Sequence, residues 1–296
     1  MNVEIAGGGI VGLTVGLALA RAGLTPTLHD PSALGDNASG VAAGMLAAEA
    51  EAEEPGVSSE EVTLLRAARA AWNALTFEGL TLVADSPVAD AVLDPMATLT
   101  HLRDAFDKSG GRWSQARITI PRAAPLIIAA GFEARSLAAL APEVAVLAPI
   151  KGHILKYEGG PRKGPVLRWP DADPGLYIVP QPDGCLVGAT MEHGRQDRAV
   201  DPAIAADLHA RAVAHLPPLA SVPYVARTGI RAATTDRLPL VGPSLTPGVW
   251  LATGMRRNGW LLAPLVAQII AAYLTGDDPG PWAQTLDPRR FSKDAP

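Results

Sequence analysis

Three glycines near the start of the chain have a spacing that brings backbone amides close to a diphosphate. Gly7, Gly9 and Gly12 form the pattern G-x-G-x-x-G between a short apolar run and a longer one rich in alanine and leucine. One glycine permits a tight turn, one lets the backbone approach a pyrophosphate, and one lets the following helix pack on the strand. A pyrophosphate would then lie at the positive end of that helix.

A carboxylate extends this pattern. Asp30 lies 18 positions after Gly12, near the roughly 20 expected of an acid that accepts hydrogen bonds from ribose hydroxyls. The alternative interpretation of Asp30 is a solvated residue at the end of a strand. The pattern predicts a bound dinucleotide, and by itself it does not separate FAD from NAD.

The elements around these residues predict a parallel sheet. Residues 3–6 and 25–29 are typical of strands, and residues 10–22 are typical of a buried helix that ends at Gly23. Strand, helix and strand within thirty residues are the opening of a doubly wound fold. Further helices are predicted at 62–75, at 95–108 and from about Asn258, and further apolar strands at 80–84, 125–130 and 249–253.

The middle of the chain has a different character. Residues 151–158, 176–180 and 185–190 read as short strands separated by Gly, Pro and Asp, which predicts an antiparallel sheet. We therefore predict an α/β fold, with a Rossmann-like parallel-sheet domain and an inserted antiparallel-sheet substrate domain. The predicted bounds are 1–75, 95–138 and 229–296 for the nucleotide-binding domain, and 76–94 and 139–228 for the substrate domain.

Composition excludes several classes of protein. The net charge of −5 over 296 residues argues against a nucleic-acid partner, which needs a basic face. The two most apolar segments, 10–20 and 260–274, are shorter than the about 20 residues of a membrane span. The N-terminus lacks a basic region followed by an apolar one, so we expect a soluble, cytoplasmic protein.

No metal site is expected from the sequence. Cys185 is the single cysteine, and His29, His153 and His193 show no metal-ligand spacing, so we expect surface or capping roles for the histidines. The acidic run at 49–54 is predicted to be mostly a solvated face.

Longer motifs carry a resemblance to a known family. Ala38-Ser39, followed by AAGML at 42–46, resembles the flavin loop of the D-amino acid oxidase superfamily. GIR at 229–231 with DRLPLVGP at 236–243, and GMRRNGWLLAP at 254–264, resemble two C-terminal blocks of the same family. YIVP at 177–180 and VGATME at 187–192 are similar to its strand pair.

The match is closest to the branch that contains the glycine oxidase of thiamine biosynthesis. It covers the first fifty residues and nearly everything after Pro149, and it fades between Pro55 and Arg122, where this chain is shorter than typical members. This trimming affects the identity of the substrate more than flavin binding.

The resemblance implies roles for three side chains. Arg231 would anchor a substrate carboxylate, since a guanidinium forks onto a carboxylate with two parallel hydrogen bonds. Tyr177 would offer its hydroxyl to the same carboxylate, and Arg257 would lie near the substrate or the flavin edge. The alternatives are an ordinary salt bridge for Arg231 and a solvated hydroxyl for Tyr177. Arg256 is expected to face solvent, and Glu51 matches a family glutamate without an assigned role.

The resemblance also implies a noncovalent FAD, because Cys185 lies far from the positions where some relatives tether flavin. The start of the last helix would face the pyrimidine edge of the flavin, where reduction places negative charge. Met45 would lie near the flavin ring, with a core methionine as the alternative. The residues predicted to bind FAD are Gly7, Gly9, Ile10, Val11, Gly12, Asp30, Ala38, Ser39, Ala43, Gly44, Met45, Leu46, Ala130, Gly131, Arg257, Asn258, Gly259, Trp260 and Leu261.

The activity implied is oxidation of the amine of glycine, sarcosine or a small D-amino acid by hydride transfer to FAD. The expected acceptor is O₂, giving H₂O₂, with the imine hydrolysed to an oxo acid and ammonia or used in thiamine thiazole synthesis. A second hypothesis is a dehydrogenase that reduces a quinone or a protein. A third is a flavin-binding interaction protein without activity. The sequence leaves the oligomeric state, including a homo-oligomer, open.

Overall fold

The computed structural model describes residues 1–86, 89–118, 124–169 and 175–292, except for the side chains of residues 83–86 and 89–90. Parts of the shortened region that precedes Arg122, and Arg122 itself, lie outside the described residues. Among the described residues the elements follow in this order: β1 (Asn2–Ala6), α1 (Ile10–Arg21), β2 (Thr25–His29), α2 (Ala38–Val41), β3 (Met45–Leu46), α3 (Ala48–Ala52), α4 (Ser59–Ala74), β4 (Leu82–Ser86), β5 (Ala89–Leu93), α5 (Pro95–Lys108), β6 (Arg112–Ser114), β7 (Leu126–Ile128), β8 (Ala148–Tyr157), β9 (Leu167–Trp169), β10 (Leu176–Gln181), β11 (Gly184–Gly188), β12 (Glu192–His193), α6 (Pro202–His215), β13 (Tyr224–Ala233), β14 (Leu240–Pro243), β15 (Val249–Thr253), α7 (Gly259–Thr275) and α8 (Trp282–Thr285).

Strands from both the N-terminal and the C-terminal parts of the chain form the predicted parallel sheet. Within the described residues this sheet has the order β14-β15-β7-β1-β2-β6, and all neighbours pair in parallel except β14 with β15. The apolar residues of β1 and α1 are almost all buried, which is why these segments read as continuous apolar runs. The strand–helix–strand opening is confirmed.

A second, antiparallel sheet carries the middle of the chain. Its order is β12-β8-β11-β10-β9, with β13 also paired to β8. Together with the parallel sheet it confirms the predicted fold class. β13 runs across the boundary predicted between residues 228 and 229, so Arg231 projects from the antiparallel sheet. The division into two domains stays a prediction.

The sequence missed several short elements. No element was predicted for residues 32–48, but they contain α2, β3 and the start of α3. β3 pairs with β5, and β5 with β4, in a small sheet of its own. Strands β6, β13 and β14 were not predicted. They are short or contain polar residues and glycines, and tertiary pairing rather than apolar periodicity makes them strands.

Helix α7 brings its first turn to the edge of the parallel sheet. Pro264 lies inside this helix and has no N–H to donate to the carbonyl of Trp260, four residues earlier. The indole N–H of Trp72, from α4, donates to that carbonyl at 3.0 Å and approaches the carbonyl of Leu261 at 3.2 Å. A side chain far away in sequence thus replaces the missing hydrogen bond. No helix among the described residues has the length and apolar character to span a bilayer.

Trp72→Phe tests this replacement. The variant keeps an aromatic ring but leaves the buried Trp260 carbonyl without a donor, and we expect the free energy of unfolding to fall by about 2 kcal/mol. Trp250→Phe is the matched control, because no hydrogen bond of its indole is found among the described residues. Urea denaturation of both variants measures the difference, and equal losses would contradict the assigned role of the indole N–H.

Candidate active site

A cavity of about 1080 Å³ lies between the parallel sheet and the antiparallel sheet. This volume is at the upper end of the roughly 300–1,000 Å³ of ordinary small-molecule sites. The carboxyl ends of parallel strands, where α/β folds bind ligands, form one wall. The predicted residues that line the cavity are Gly7, Gly9, Ile10, Val11, Asp30, Ala38, Ser39, Ala43, Gly44, Met45, Ala130, Gly131, Tyr177, Arg231, Arg257, Asn258, Gly259 and Trp260.

Three predicted cofactor residues lie behind that wall. A Cβ built at Gly12 would be 1.9 Å from the Gly7 carbonyl oxygen, so Gly12 lets α1 pack against the turn. Leu46 is buried in the core and pairs with Ala91 of β5. Leu261 faces the core in the first turn of α7 and is 1% exposed. Among the described residues, Gly12, Leu46 and Leu261 are not part of the cavity lining.

The glycine turn has the shape that a pyrophosphate requires. Gly7 has φ +110°, and a Cβ there would be 2.5 Å from the Ala129 carbonyl oxygen. Gly9 is the N-cap of α1 and receives no side-chain cap, and a Cβ on it would be 2.9 Å from the Ser39 hydroxyl oxygen. Glycine at both positions therefore leaves no Cβ between the turn and its neighbours at the start of α1.

Ser39 joins the N-termini of two helices. Its hydroxyl oxygen accepts from the amide of Ile10 at 3.0 Å, at the start of α1. Its carbonyl oxygen accepts from the indole N–H of Trp260 at 3.1 Å, at the start of α7. The positive ends of both helix dipoles thus converge on one cavity, and such an arrangement favours a ligand with negative charge at two places.

Asp30 is already engaged with the backbone. One carboxylate oxygen accepts from the Gly8 amide at 2.7 Å and the other from the Ser32 amide at 2.8 Å. A carboxylate oxygen has a second lone pair, so Asp30 can still accept from a ribose hydroxyl while it stabilises the turn. The predicted ribose contact stays a prediction. The glycine turn, the two helix ends and this acid together fit FAD.

The guanidinium of Arg231 lies on the face of the antiparallel sheet that lines the cavity, which we call the cavity floor. A Cβ built at Gly152 of β8 would be 2.4 Å from Arg231 Nη1, so glycine there provides the room for the guanidinium. Arg231 Nη1 donates to the Thr190 carbonyl oxygen at 3.1 Å and contacts Met191 Sδ at 3.4 Å. In the part of the chain that the structure describes, no carboxylate lies within ion-pair distance. Burial lowers the pKa of Arg231 from its usual value.

The side chain of Tyr177, like that of Arg231, lies over a glycine of a neighbouring strand. Tyr177 pairs with Gly188 across β10 and β11, and a Cβ on Gly188 would be 2.3 Å from the tyrosine hydroxyl oxygen. Burial raises the pKa of Tyr177 above its usual value, so the phenol stays a hydrogen-bond donor at neutral pH. Among the described side chains we find no partner for this hydroxyl.

Arg257 differs from Arg231 because two acids neutralise it. It binds Glu51 at 2.7 Å and Glu54 at 3.1 Å. Burial alone would lower the pKa of Arg257, but the two carboxylates outweigh it and the pKa lies above its usual value. The expectation that the acidic run is a solvated face is therefore wrong at Glu51, which is 6% exposed. The match of Glu51 to a family glutamate was the signal that could have identified it.

Other expectations about single residues are corrected. Arg256 was expected to face solvent, but it is part-buried, lines the cavity and adopts φ +51°. Surface or capping roles were expected for the histidines, but His29 and His153 are both buried, and His153 Nε2 accepts from the amide of Asp201 just before α6. His29 contacts Glu4, and His153 contacts Glu192 at 2.7 Å. No group of potential metal ligands is found among the described residues.

Arg168 was not predicted from the sequence. It extends from β9 into the cavity, and its guanidinium contacts Met45 Sδ at 3.4 Å. Met45 lines the cavity as predicted, with its side chain only part-buried. No motif identifies Arg168, because β9 is a short edge strand with no recognisable signature.

Comparison with known proteins agrees with this geometry. The sequence model of the FAD-dependent oxidoreductase family matches residues 2–85 and 86–273. A bifunctional protein of tRNA 5-methylaminomethyl-2-thiouridine biosynthesis from Maricaulis maris is 30% identical over 98% of this chain and 55% of its own length. Glycine oxidase from Pseudomonas aeruginosa is 32% identical over 53% of this chain and 44% of its own length.

A solved structure covers the whole chain. The crystal structure of glycine oxidase from Geobacillus kaustophilus superposes with a TM-score of 0.84, at 22% identity, over 98% of each chain. The chain matches about half or less of the length of the first two relatives. From the match over nearly all of the sequence, and a cavity that fits the cofactor, we conclude that the chain belongs to the FAD-dependent oxidoreductase family and that its cofactor is FAD.

Proposed function

We propose that this protein oxidises the amine of a small amino acid, such as glycine, sarcosine or a small D-amino acid. The observation that supports this most strongly is the charge of Arg231. This guanidinium lies on the cavity floor with neutral hydrogen-bond acceptors and no carboxylate partner among the described residues. An uncompensated buried cation is costly unless a ligand supplies the anion. A substrate carboxylate has the required charge and shape.

In this proposal Arg231 binds the carboxylate with two parallel hydrogen bonds and fixes its plane. Tyr177 donates its hydroxyl to the same carboxylate. These two contacts fix the orientation of the substrate Cα. Such orientation of the reacting atoms accounts for much of the rate acceleration of a transfer step. Bound FAD would supply the acceptor for the hydride of that Cα–H bond and a route for the electrons to O₂, which would leave as H₂O₂.

The remaining cavity residues are consistent with a reaction that needs no dedicated base. Glu51 and Glu54 are held by Arg257, and the raised pKa of Tyr177 keeps its proton in place. The substrate therefore reacts as its neutral amine, and water hydrolyses the imine to an oxo acid and ammonia. Relatives named bifunctional protein ThiO/ThiG support the alternative outcome, in which the imine is used in thiamine thiazole synthesis.

The match to the tRNA-modifying protein favours a second candidate substrate, an amine on a modified thiouridine of tRNA. The alignment spans 98% of this chain, whereas the net charge of −5 opposes stable binding of tRNA by this chain alone. The small amino acid remains the proposal.

An anaerobic titration of the FAD-loaded protein tests the activity. Glycine, sarcosine, D-alanine or D-proline is expected to bleach the visible flavin absorbance, and at least one of the four should do so within seconds to minutes. A protein that stays yellow with all four, but is bleached by tRNA carrying the modified uridine, would replace the proposal with the second candidate. A protein bleached by none would favour a flavin-binding interaction protein.

Arg231→Met tests the carboxylate anchor. Loss of charge-assisted hydrogen bonds is expected to lower kcat/KM about 100-fold, with FAD binding retained. Arg227→Met is the matched control, because Arg227 is an exposed arginine on the same strand. Steady-state kinetics of both variants make the comparison. Unchanged kcat/KM for Arg231→Met would show that another group holds the substrate.

The electron acceptor is tested in air without added acceptor. Release of one peroxide per substrate oxidised is expected for an oxidase. Turnover that requires an added quinone, with no peroxide in air, would instead identify a dehydrogenase.

Gly152 and Gly188, the glycines beneath Arg231 and Tyr177, give a further test. Gly188→Ala is expected to push the Tyr177 ring from its place, and Gly152→Ala to displace the Arg231 guanidinium, because each added methyl would lie within 2.4 Å of that side chain. We expect KM for the substrate to rise about tenfold or more in each variant. The FAD dissociation constant serves as the internal control and should stay within about threefold. An unchanged KM in a folded, FAD-loaded variant would contradict the placement of these side chains.

A further inference from the structure

Thr190 follows β11 and is tied to β8 by two hydrogen bonds. Its amide donates to the His153 carbonyl oxygen at 3.3 Å, and its hydroxyl oxygen accepts from the His153 amide at 2.8 Å. The residue continues the strand pairing beyond the end of β11, but it uses its side chain for one of the two bonds. The backbone position of Thr190 is therefore set by its hydroxyl.

A buried imidazole and a carboxylate hold that hydroxyl in turn. Glu192 Oε1 accepts from the Thr190 hydroxyl at 2.6 Å and from His153 Nδ1 at 2.7 Å. His153 Nε2 accepts from the Asp201 amide at 2.9 Å, and only an unprotonated ring nitrogen accepts. The ring is therefore neutral with its hydrogen on Nδ1, and the direction of every hydrogen bond in the group is determined.

The carbonyl oxygen of the same Thr190 receives the hydrogen bond from Arg231 Nη1 at 3.1 Å. On its other side the guanidinium lies against Gly152, whose backbone belongs to β8 as His153 does. Arg231 is thus held between the sheet floor and one carbonyl oxygen. That acceptor is neutral and no carboxylate of the described residues lies within ion-pair distance, so a ligand can still pair with the guanidinium. Glu192 acts on Arg231 through Thr190 and, at longer range, through its charge.

We propose that Thr190 is a positioning residue for the substrate-carboxylate site, and that Glu192 and His153 hold its carbonyl oxygen where it orients Arg231. This inference rests on the proposed function, in which Arg231 binds the substrate carboxylate. It adds three residues that do not touch the substrate but determine how well the anchor is aligned. A bidentate contact depends on such alignment, since it needs both N–H groups in the carboxylate plane.

Thr190→Val and Thr190→Ser separate the hydroxyl from the shape of the side chain. Valine keeps the shape and removes the hydroxyl, and serine keeps the hydroxyl. The probe is glycolate, which has the carboxylate of glycine but a hydroxyl in place of the amine. In the FAD-loaded protein we expect Thr190→Val to raise the dissociation constant of glycolate, read from the flavin absorbance, about tenfold. Serine should restore it to within about threefold of the wild type. KM for glycine should rise with the glycolate constant, and kcat should change by less than about threefold.

A purely structural role predicts a different result. Thr190→Val would then lower the thermal midpoint and leave glycolate binding unchanged, which would overturn the proposal. Serine behaving like valine would overturn it as well. If the valine variant does not fold, Thr190→Ala replaces it with the same expectation.

A double-mutant cycle distinguishes failure of this inference from failure of the proposed function. Arg231→Met alone should abolish most glycolate binding, and adding Thr190→Val should weaken it no further, because the two residues act as one unit. Arg231→Met without effect on glycolate refutes the anchor itself. A strong effect of Arg231→Met together with no effect of Thr190→Val, or with fully additive effects, refutes only the positioning role.

Discussion

The account depends on one buried guanidinium that has no ion-pair partner among the described residues. Arg231 is held by the Thr190 carbonyl oxygen and lies on Gly152, and burial lowers its pKa although Glu51 and Glu192 oppose this at longer range. Arg257 shows the contrast, because two acids bind it and leave it little capacity for an anionic ligand. Of these two cations, Arg257 is neutralised within the structure, and Arg231 is the one that we propose to bind a substrate.

The two sheets contribute opposite halves of the site. The parallel sheet supplies glycine turns and two helix N-termini, which Ser39 brings together through its hydroxyl and carbonyl oxygens. These features bind a cofactor through backbone amides. The antiparallel sheet supplies side chains that extend over glycines of the neighbouring strands. In the proposed site, cofactor binding depends on backbone shape and substrate binding on side chains, so substrate preference could change while cofactor binding is kept.

Local patterns in the sequence predicted the glycine turn, α1 and α7, because apolar periodicity and glycine spacing act over a few residues. They did not predict β13 or the burial of Glu51, since both depend on partners far along the chain, β8 and Arg257. Arg231 and Tyr177 were predicted from motifs, whereas Gly188 lay in a quoted motif without an assigned role and Gly152 carried no signal. Trp72 completing the helix at Pro264 also needed the tertiary structure.

The most direct measurement of the central claim is a crystal structure of the FAD-loaded protein with glycolate. The account predicts both carboxylate oxygens on the Arg231 guanidinium, the Tyr177 hydroxyl donating to one of them, and the Glu51–Arg257 pair intact. A carboxylate bound to Arg257 or Arg256, with Arg231 still touching only Thr190, would contradict it.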